Sequence, residues 1–475
     1  MSQTPNVQSK RVDLVAYFDS LAATRDKWIE RNWYYHQQIA RRLSFFIPAD
    51  SSVLEIGSGA GVLLNSLKPT RGLGVDISPA MIEIARQKYP HLEFRVDDIE
   101  ALKTDEKFDY IVLSDVIGFL DDVQRSFENL HRVCHSSTRI LITHFHFLWE
   151  PVLHAAERMG WKAKQPLLNW LTPADVANLL DLAGFEPVRT NSRLLLPIYV
   201  PLLSTFCNRF LVNLPLFKHL ALVRVSIARP RVAKRKALSC SIVVPCRNER
   251  GNIESAVTRI PQLSDHTEII FVEGHSTDGT REEIQRVISE NPQRDIKLLA
   301  QEGHGKGDAV RRGFETATGD LLMILDGDLS VDPQELPKFY DAIIQGTADF
   351  VQGSRLVYPM QDEAMRFLNL VGNRFFSIVF TYLLDQRIKD TLCGTKVLLR
   401  SDYLKIATNR RYFGAFDPFG DFDLIFGAAK MNLKIMEIPI HYCARTYGTT
   451  NISRFRHGLL LLRMAWYAMW KIKFV

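Results

Sequence analysis

Short apolar runs that alternate with helical patterns occur in two series, and this alternation constrains the fold more than any other feature. The first series runs from Ser52 to about Ile142: VLEIG, GLGVD, LEFRVDD, YIVLSD and RILITHF. The second begins at Ser241 with SIVVP and continues through EIIFVEG, IKLLAQ, LLMILDGD and FVQGS. Strands separated by helices call for a parallel sheet covered on both faces. Two such series in 475 residues, without a repeat period or shared motifs, predict an α/β protein of two domains. A hydrophobic content of 46% lets each half bury a full core.

Between the series lies RPRVAKRKAL (Arg229–Leu238), basic and proline-containing. It reads as a solvated linker, which places the domains at residues 1–228 and 239–475. The run lacks interleaved aromatics, so no nucleic-acid partner is expected. The six cysteines are scattered without a C-x-x-C pair, a pattern of a reducing cytosol and not of a disulfide framework or zinc site. The N-terminal stretch MSQTPNVQSKRVDLV lacks the apolar centre of a signal peptide. No run reaches the roughly 18 apolar residues of a membrane span. Leu194–Cys207 is apolar but broken by Pro197 and Pro201, and is expected in the core. Leu459–Trp470 is interrupted by Arg463 and followed by Lys471 and Lys473; with Arg454 and Arg456 it suits either a core helix or one lying on a membrane surface. The localisation expected is cytoplasmic, and peripheral at the inner membrane face if this segment is the membrane-surface helix.

The first domain carries a glycine turn after its first strand, Glu55-Ile-Gly57-Ser-Gly59-Ala-Gly61. Glycines there permit a tight turn and close backbone approach to a ligand beside a helix N-terminus. Asp76 closes the second strand, placed for a ribose hydroxyl pair. Asp97 and Asp98 close the third, where an acid can reach an adenine amino group. Together these resemble a class I S-adenosylmethionine-dependent methyltransferase over residues 10–190. The resemblance implies that Glu55, Gly57, Gly59, Gly61, Asp76 and Asp98 (or Asp97) hold the cofactor, with Ser114, Asp115 and Val116 beside its methyl group. A sulfonium methyl needs little beyond an aligned nucleophile, but a hydroxyl acceptor needs a base. His144, His146 and Asp115 are the candidates, and a domain that binds its ligand or a partner without turnover is the alternative.

In the second domain, Asp326 and Asp328 end an apolar strand as Asp-x-Asp. A divalent cation between carboxylates and a diphosphate neutralises the charge that develops on a departing nucleotide, and Mg²⁺ or Mn²⁺ suits such oxygen ligands. P-x-x-N-E (Pro245, Asn248, Glu249), V-E-x-x-S-x-D-G-T (Glu273, Asp278), G-K-G (Lys306) and D-x-D in this order resemble a family 2 glycosyltransferase over residues 239–445. The whole chain thus reads as two Rossmann-like domains, a class I methyltransferase fold followed by a GT-A-type nucleotide-sugar transferase fold. The second resemblance implies inverting, metal-dependent transfer from a nucleotide-diphosphate sugar. Pro245, Asn248, Glu249, Glu273, Asp278, Lys306 and Asp326 would lie around the nucleotide, with Asp326 and Asp328 at the metal. Where many members have two aspartates this chain has Glu273-Gly274, which leaves the base, uridine or guanosine, open.

Downstream, Gln352-Gly-Ser-Arg355, Asp390-Thr-Leu-Cys-Gly-Thr-Lys396, KIMEIPIHY and Arg445-Thr-Tyr-Gly are similar to polyprenyl-phosphate sugar synthases such as the dolichyl-phosphate mannose type. That likeness implies a phosphate clamp of Arg355 and Arg445, and guanidinium groups suit phosphate oxygens. Asp421 and Asp423 in GDFD would supply a base for a hydroxyl acceptor. A phosphate acceptor, mostly dianionic at neutral pH, needs none. Polyprenyl phosphate and a glycan therefore both stand as acceptors.

Overall fold

The computed structural model describes residues 7–166, 168–358, 367–412, 420–443, 445, 447–448 and 454–474; for residues 7–11, 367–371, 411, 421 and 454–458 it describes the backbone alone. The chain divides into two compact units, the first ending at Arg231 and the second running from Val232 to Lys473. Each contains its own seven-stranded sheet.

In the first unit the strands are β1 (Ser52–Ile56), β2 (Arg71–Asp76), β3 (Glu93–Val96), β4 (Phe108–Ser114), β5 (Cys134–Phe145), β6 (Phe185–Arg193) and β7 (Val223–Pro230). Their order is β3-β2-β1-β4-β5-β7-β6. The first five are mutually parallel, while β7 runs antiparallel to both β5 and β6. Buried Leu54, Ile111, Ile142, Phe127 and Phe185 belong to its core. The chain direction across the sheet reverses beside β1, where the ends of β1 and β4 leave a crevice open to a ligand.

The second unit repeats this logic with β8 (Cys240–Cys246), β9 (Thr267–Glu273), β10 (Asp295–Ala300), β11 (Leu321–Ile324), β12 (Phe350–Ser354), β13 (Lys396–Leu399) and β14 (Ile435–Pro439), in the order β10-β9-β8-β11-β13-β12-β14. The four strands from β10 to β11 are parallel, and β13 is antiparallel to both of its neighbours. Here the reversal lies beside β8, so the ends of β8 and β11 face one another across the corresponding crevice.

Three expectations need correction. The sheets are mixed, because β7 and β13 enter antiparallel. Arg229 and Pro230 are not linker: they end β7, which lies between β5 and β6, and Arg229 is fully buried with Nε and an Nη within 3.0 Å of the Glu186 carboxylate. A guanidinium removed from water requires such a partner, so composition alone misplaces it. Leu194–Cys207 is not core either, since Ile198, Tyr199, Leu202 and Phe206 face solvent. The C-terminal helix Arg454–Ala468 is two-faced: Leu461, Met464 and Ala465 are buried while Leu459, Leu462 and Trp466 are exposed. No helix among the described residues is long and apolar enough to cross a membrane.

A fragment of residues 1–231 should therefore be more stable than one of residues 1–228. Removing Arg229 strands the half-buried Glu186 and shortens β7, at a cost of about 3 kcal/mol. Urea denaturation checks this; equal midpoints would place Arg229 outside the fold.

Candidate functional sites

At the end of β1 the three glycines all take positive φ, 71° at Gly57, 49° at Gly59 and 77° at Gly61. Their reasons differ. A Cβ on Gly57 would strike Val116 and one on Gly61 would strike Phe94, whereas a Cβ on Gly59 would meet nothing within 4 Å. Gly57 and Gly61 thus serve internal packing, and Gly59 presents bare backbone to open space. Asp76, at the end of β2, ties the turn down: its two carboxylate oxygens accept from the Gly59 amide at 2.8 Å and the Ser78 amide at 2.9 Å. Glu55 accepts from the Leu64 amide at 2.9 Å within the following helix, and burial pushes its carboxyl up to about 8. Asp97 accepts from the Asp98 and Lys103 amides, while Asp98 accepts from the Glu100 amide and caps a short 3₁₀ turn.

Across the crevice, Ser114 ends β4 with its hydroxyl 3.1 Å from that of Thr143. Asp115 follows in a left-handed conformation, φ 57°. Its carboxylate accepts from the Tyr35 hydroxyl at 2.5 Å and from the Thr143 hydroxyl at 2.9 Å. Burial raises the Asp115 carboxyl despite those two donors, and raises the Tyr35 phenol well above its ordinary range. Tyr35 stands 80 residues from Asp115. No local pattern in the sequence points to it.

His144 is separated from this cluster by strand alternation. Neighbouring side chains on a strand point to opposite faces, so His144 projects away from the side on which Thr143 meets Asp115. It is buried, lies across from Arg224 in the register, and has no hydrogen-bond partner on either ring nitrogen among the described residues. Burial, with Arg224 nearby, pushes it down to about 4, so it is neutral at physiological pH. His146 is pushed down to the same range by burial, and its ring accepts from the Leu148 amide. Of the three candidate bases, only Asp115 sits at the crevice beside β1.

In the second unit a mesh of loop bonds brings the expected residues together. After Pro245 in β8, Asn248 adopts φ 56°, its amide donates to the Ser276 hydroxyl, and its side-chain oxygen accepts from the Thr277 amide at 2.9 Å. Glu273 accepts from the Ser276 amide at 2.5 Å. Asp278 accepts from the amides of Arg250 and Thr280, and the Glu249 amide donates to the Thr280 hydroxyl. Asn248, Glu249 and Asp278 thus belong to one pair of interlocked loops that leave the strand ends at Pro245 and Glu273.

Beside them, past the end of β11, Lys306 Nζ lies 2.5 Å from Asp326 Oδ1, and an Arg445 Nη lies 2.5 Å from Asp328 Oδ2. Arg445 also reaches Glu249 at 3.7 Å. Burial alone would raise Asp326, but the Lys306 ammonium, helped by Lys396 and Arg355, outweighs it and holds the carboxyl below its ordinary value. Burial pushes Glu249 up to about 7 against the pull of Arg445. The backbone of Gly394 presses on this pair; a Cβ there would overlap the Asp326 carboxylate and the Lys306 ammonium.

The other expected residues are engaged elsewhere. Arg355, its side chain 11% exposed, forms a bidentate pair with buried Asp390 at 2.7 and 2.8 Å, so its guanidinium faces a carboxylate and not an open phosphate site. Asp423 accepts from Arg410 at 2.7 Å, and burial raises its carboxyl despite that partner. Asp421 begins the helix Asp421–Lys430, and its side chain lies outside the described residues. Among the described residues no group of three or more acids, histidines or cysteines gathers as a ready metal cage. Two carboxylates such as Asp326 and Asp328 nevertheless match the protein share of a Mg²⁺ or Mn²⁺ site that phosphates complete.

Residues 241–406 match the family model described as glycosyl transferase family 2, and residues 29–190 match one described as a methyltransferase domain. Glycosyltransferase AglJ of Haloferax volcanii is 29% identical over 219 residues, 46% of this chain and 67% of that protein. Dolichol-phosphate mannosyltransferase of Pyrococcus furiosus is 35% identical over 122 residues, 25% of this chain and 34% of its own length. The chain therefore spans only about a third of the latter. A SAM-dependent methyltransferase of Thermotoga maritima superposes with a TM-score of 0.37 at 17% identity, covering 46% of this chain and 99% of that one.

The raised Glu55 carboxyl carries a pH signature. Protonation is favoured by the fold, so the stabilisation is full below the ordinary value of 4.5 and is lost as pH rises through about 8. Glu55→Gln keeps the side chain neutral throughout. Between pH 5 and 8 the natural chain should lose about 3 kcal/mol more stability than this variant in urea titrations. Parallel pH profiles would place the Glu55 charge in solvent.

Proposed function

We propose that this chain, which carries a methyltransferase domain and a glycosyl transferase family 2 domain, transfers sugar from a nucleotide diphosphate to a polyprenyl phosphate and a methyl group from S-adenosylmethionine to a hydroxyl. The observation that carries the sugar half is the charge pairing after β11, where Asp326 and Asp328 each face a cation. A divalent cation at these carboxylates would supply charge neutralisation for the departing diphosphate. Lys306 and Arg445 are then positioned to turn from the carboxylates towards phosphate oxygens. The interlocked loops of Asn248, Glu249, Glu273 and Asp278 form the floor for the nucleoside.

Two observations favour a phosphate over a sugar hydroxyl as acceptor. A hydroxyl needs a base, and of the two candidates Asp421 and Asp423 the latter is held by Arg410. Arg445 is the cation placed beside Asp328, which suits an incoming anion; Arg355, occupied by Asp390, instead orients the loop that carries Gly394.

In the methyltransferase unit, bare backbone at Gly59, the Asp76 carboxylate and the buried Glu55 fit S-adenosylmethionine, which supplies an electrophilic methyl when bound. Asp115 stands across the crevice, and its raised proton affinity suits the removal of a hydroxyl proton as the new bond to carbon forms. Tyr35 and Thr143 orient it.

With polyprenyl phosphate as acceptor, Arg445→Ala should weaken acceptor use by about ten- to a hundredfold. Asp423→Asn, once shown to fold by circular dichroism, should cost far less. Collapse of turnover in the aspartate variant with Arg445→Ala near normal would reject the phosphate reading.

Asp115→Asn should lower methyl transfer by about 10²–10⁴ while leaving S-adenosylmethionine binding and sugar transfer unchanged. Undiminished methyl transfer would remove Asp115 as the base.

A further inference from the structure

The segment from Ile198 to Leu220 in the first unit is built inside out. Three of its polar side chains point inward: Ser204 is fully buried, and Asn208 and Asn213 nearly so. They bind the segment's own backbone. Asn208 accepts from the Leu195 and Leu196 amides at 2.8 and 2.9 Å and donates to the Leu196 carbonyl and the Tyr34 hydroxyl. The Ser204 hydroxyl joins the Val200 amide to the Ile198 carbonyl, and Asn213 donates to the Arg209 carbonyl. The large apolar side chains point outward instead. Leu202 is 88% exposed, Leu216 76% and Ile198 60%, with Tyr199, Phe206 and Leu220 also at the surface.

Such an arrangement is a fixed apolar platform and not a loose loop. Soluble surfaces rarely gather this many large apolar side chains without something to cover them. The charges say what covers it. Between Glu186 and Glu249 the sequence has no acidic residue. Exposed Lys218 and His219 sit between Leu216 and Leu220 in the chain, and Arg209 is half-buried. At the aromatic edge, Trp33 packs on Tyr199 at 5.4 Å, and such rings favour the headgroup level of a bilayer. Apolar side chains set beside Lys218 and Arg209, in a stretch of sequence without an acid, match an anionic lipid surface, where acyl chains receive the former and headgroups the latter.

We infer that residues 198–220 are a bilayer-docking surface belonging to the methyltransferase unit itself and specific for anionic phospholipid. Methyl transfer would then take place at the membrane face whichever acceptor the sugar site uses.

Cosedimentation of the full chain with vesicles of phosphatidylglycerol and phosphatidylcholine tests this. Leu202→Glu with Leu216→Glu alters two side chains that project into solvent, so the melting curve should not move. The pair should weaken vesicle binding by about tenfold or more, and vesicles of phosphatidylcholine alone should bind less of the natural chain. The same loss should appear in a background carrying Leu459→Glu and Trp466→Glu, which silences the C-terminal helix. Unchanged vesicle binding by Leu202→Glu with Leu216→Glu, or no binding by the natural chain, overturns the inference. So does light scattering that shows a dimer dissolved by the same pair, which would assign the platform to a second copy.

Discussion

Backbone amides tied to carboxylates at the ends of parallel strands are the constraint on which both sites rest. A parallel strand ends in a loop whose N–H groups have no ladder partner, and a buried amide left without an acceptor is costly. In the first unit Asp76 takes the amides of Gly59 and Ser78, and Glu55 takes that of Leu64. In the second, Glu273 takes Ser276, and Asp278 takes Arg250 and Thr280. These bonds fix the loops after β1 and β2 in the first unit and after β8 and β9 in the second, so one wall of each crevice is shaped before any ligand arrives. Preorganisation of this kind lowers what binding must spend on ordering.

The two crevices then diverge in charge. Around Asp115 and Glu55 the acids are buried, raised in proton affinity and held by neutral donors. Around Asp326 and Asp328 they face Lys306 and Arg445 directly. The first arrangement suits groups that hold or accept a proton; the second suits a ligand carrying dense negative charge. One scaffold logic thus supports two chemistries through the residues placed at the strand ends.

Much of this was legible in the sequence because the signals are local. The glycine turn, the strand-end acids Asp76 and Asp98, and the Asp326-Gly-Asp328 turn lie within a few residues of their strands, and short apolar runs between helical patterns located those strands. What was missed depends on distant pairing. Tyr35 meets Asp115, and Asp390 claims Arg355, only after folding. The short antiparallel β13 (KVLL) has no length to distinguish it, and Arg229 read as solvated because the Glu186 that neutralises it lies in another strand. The Leu194–Cys207 run failed in the other direction: hydropathy reports what a side chain prefers, whereas Asn208 and Ser204 decided which way the backbone turned.

The central claim is that one chain holds two independent donor sites. Calorimetric titration of the full chain with S-adenosylmethionine, then of the saturated protein with uridine and guanosine diphosphate in Mn²⁺, tests it directly. A saturable heat is expected for S-adenosylmethionine and a second, undiminished heat for one of the nucleotides, the latter abolished by Asp328→Asn alone. Competition between the two ligands, or a nucleotide heat untouched by that substitution, would contradict it.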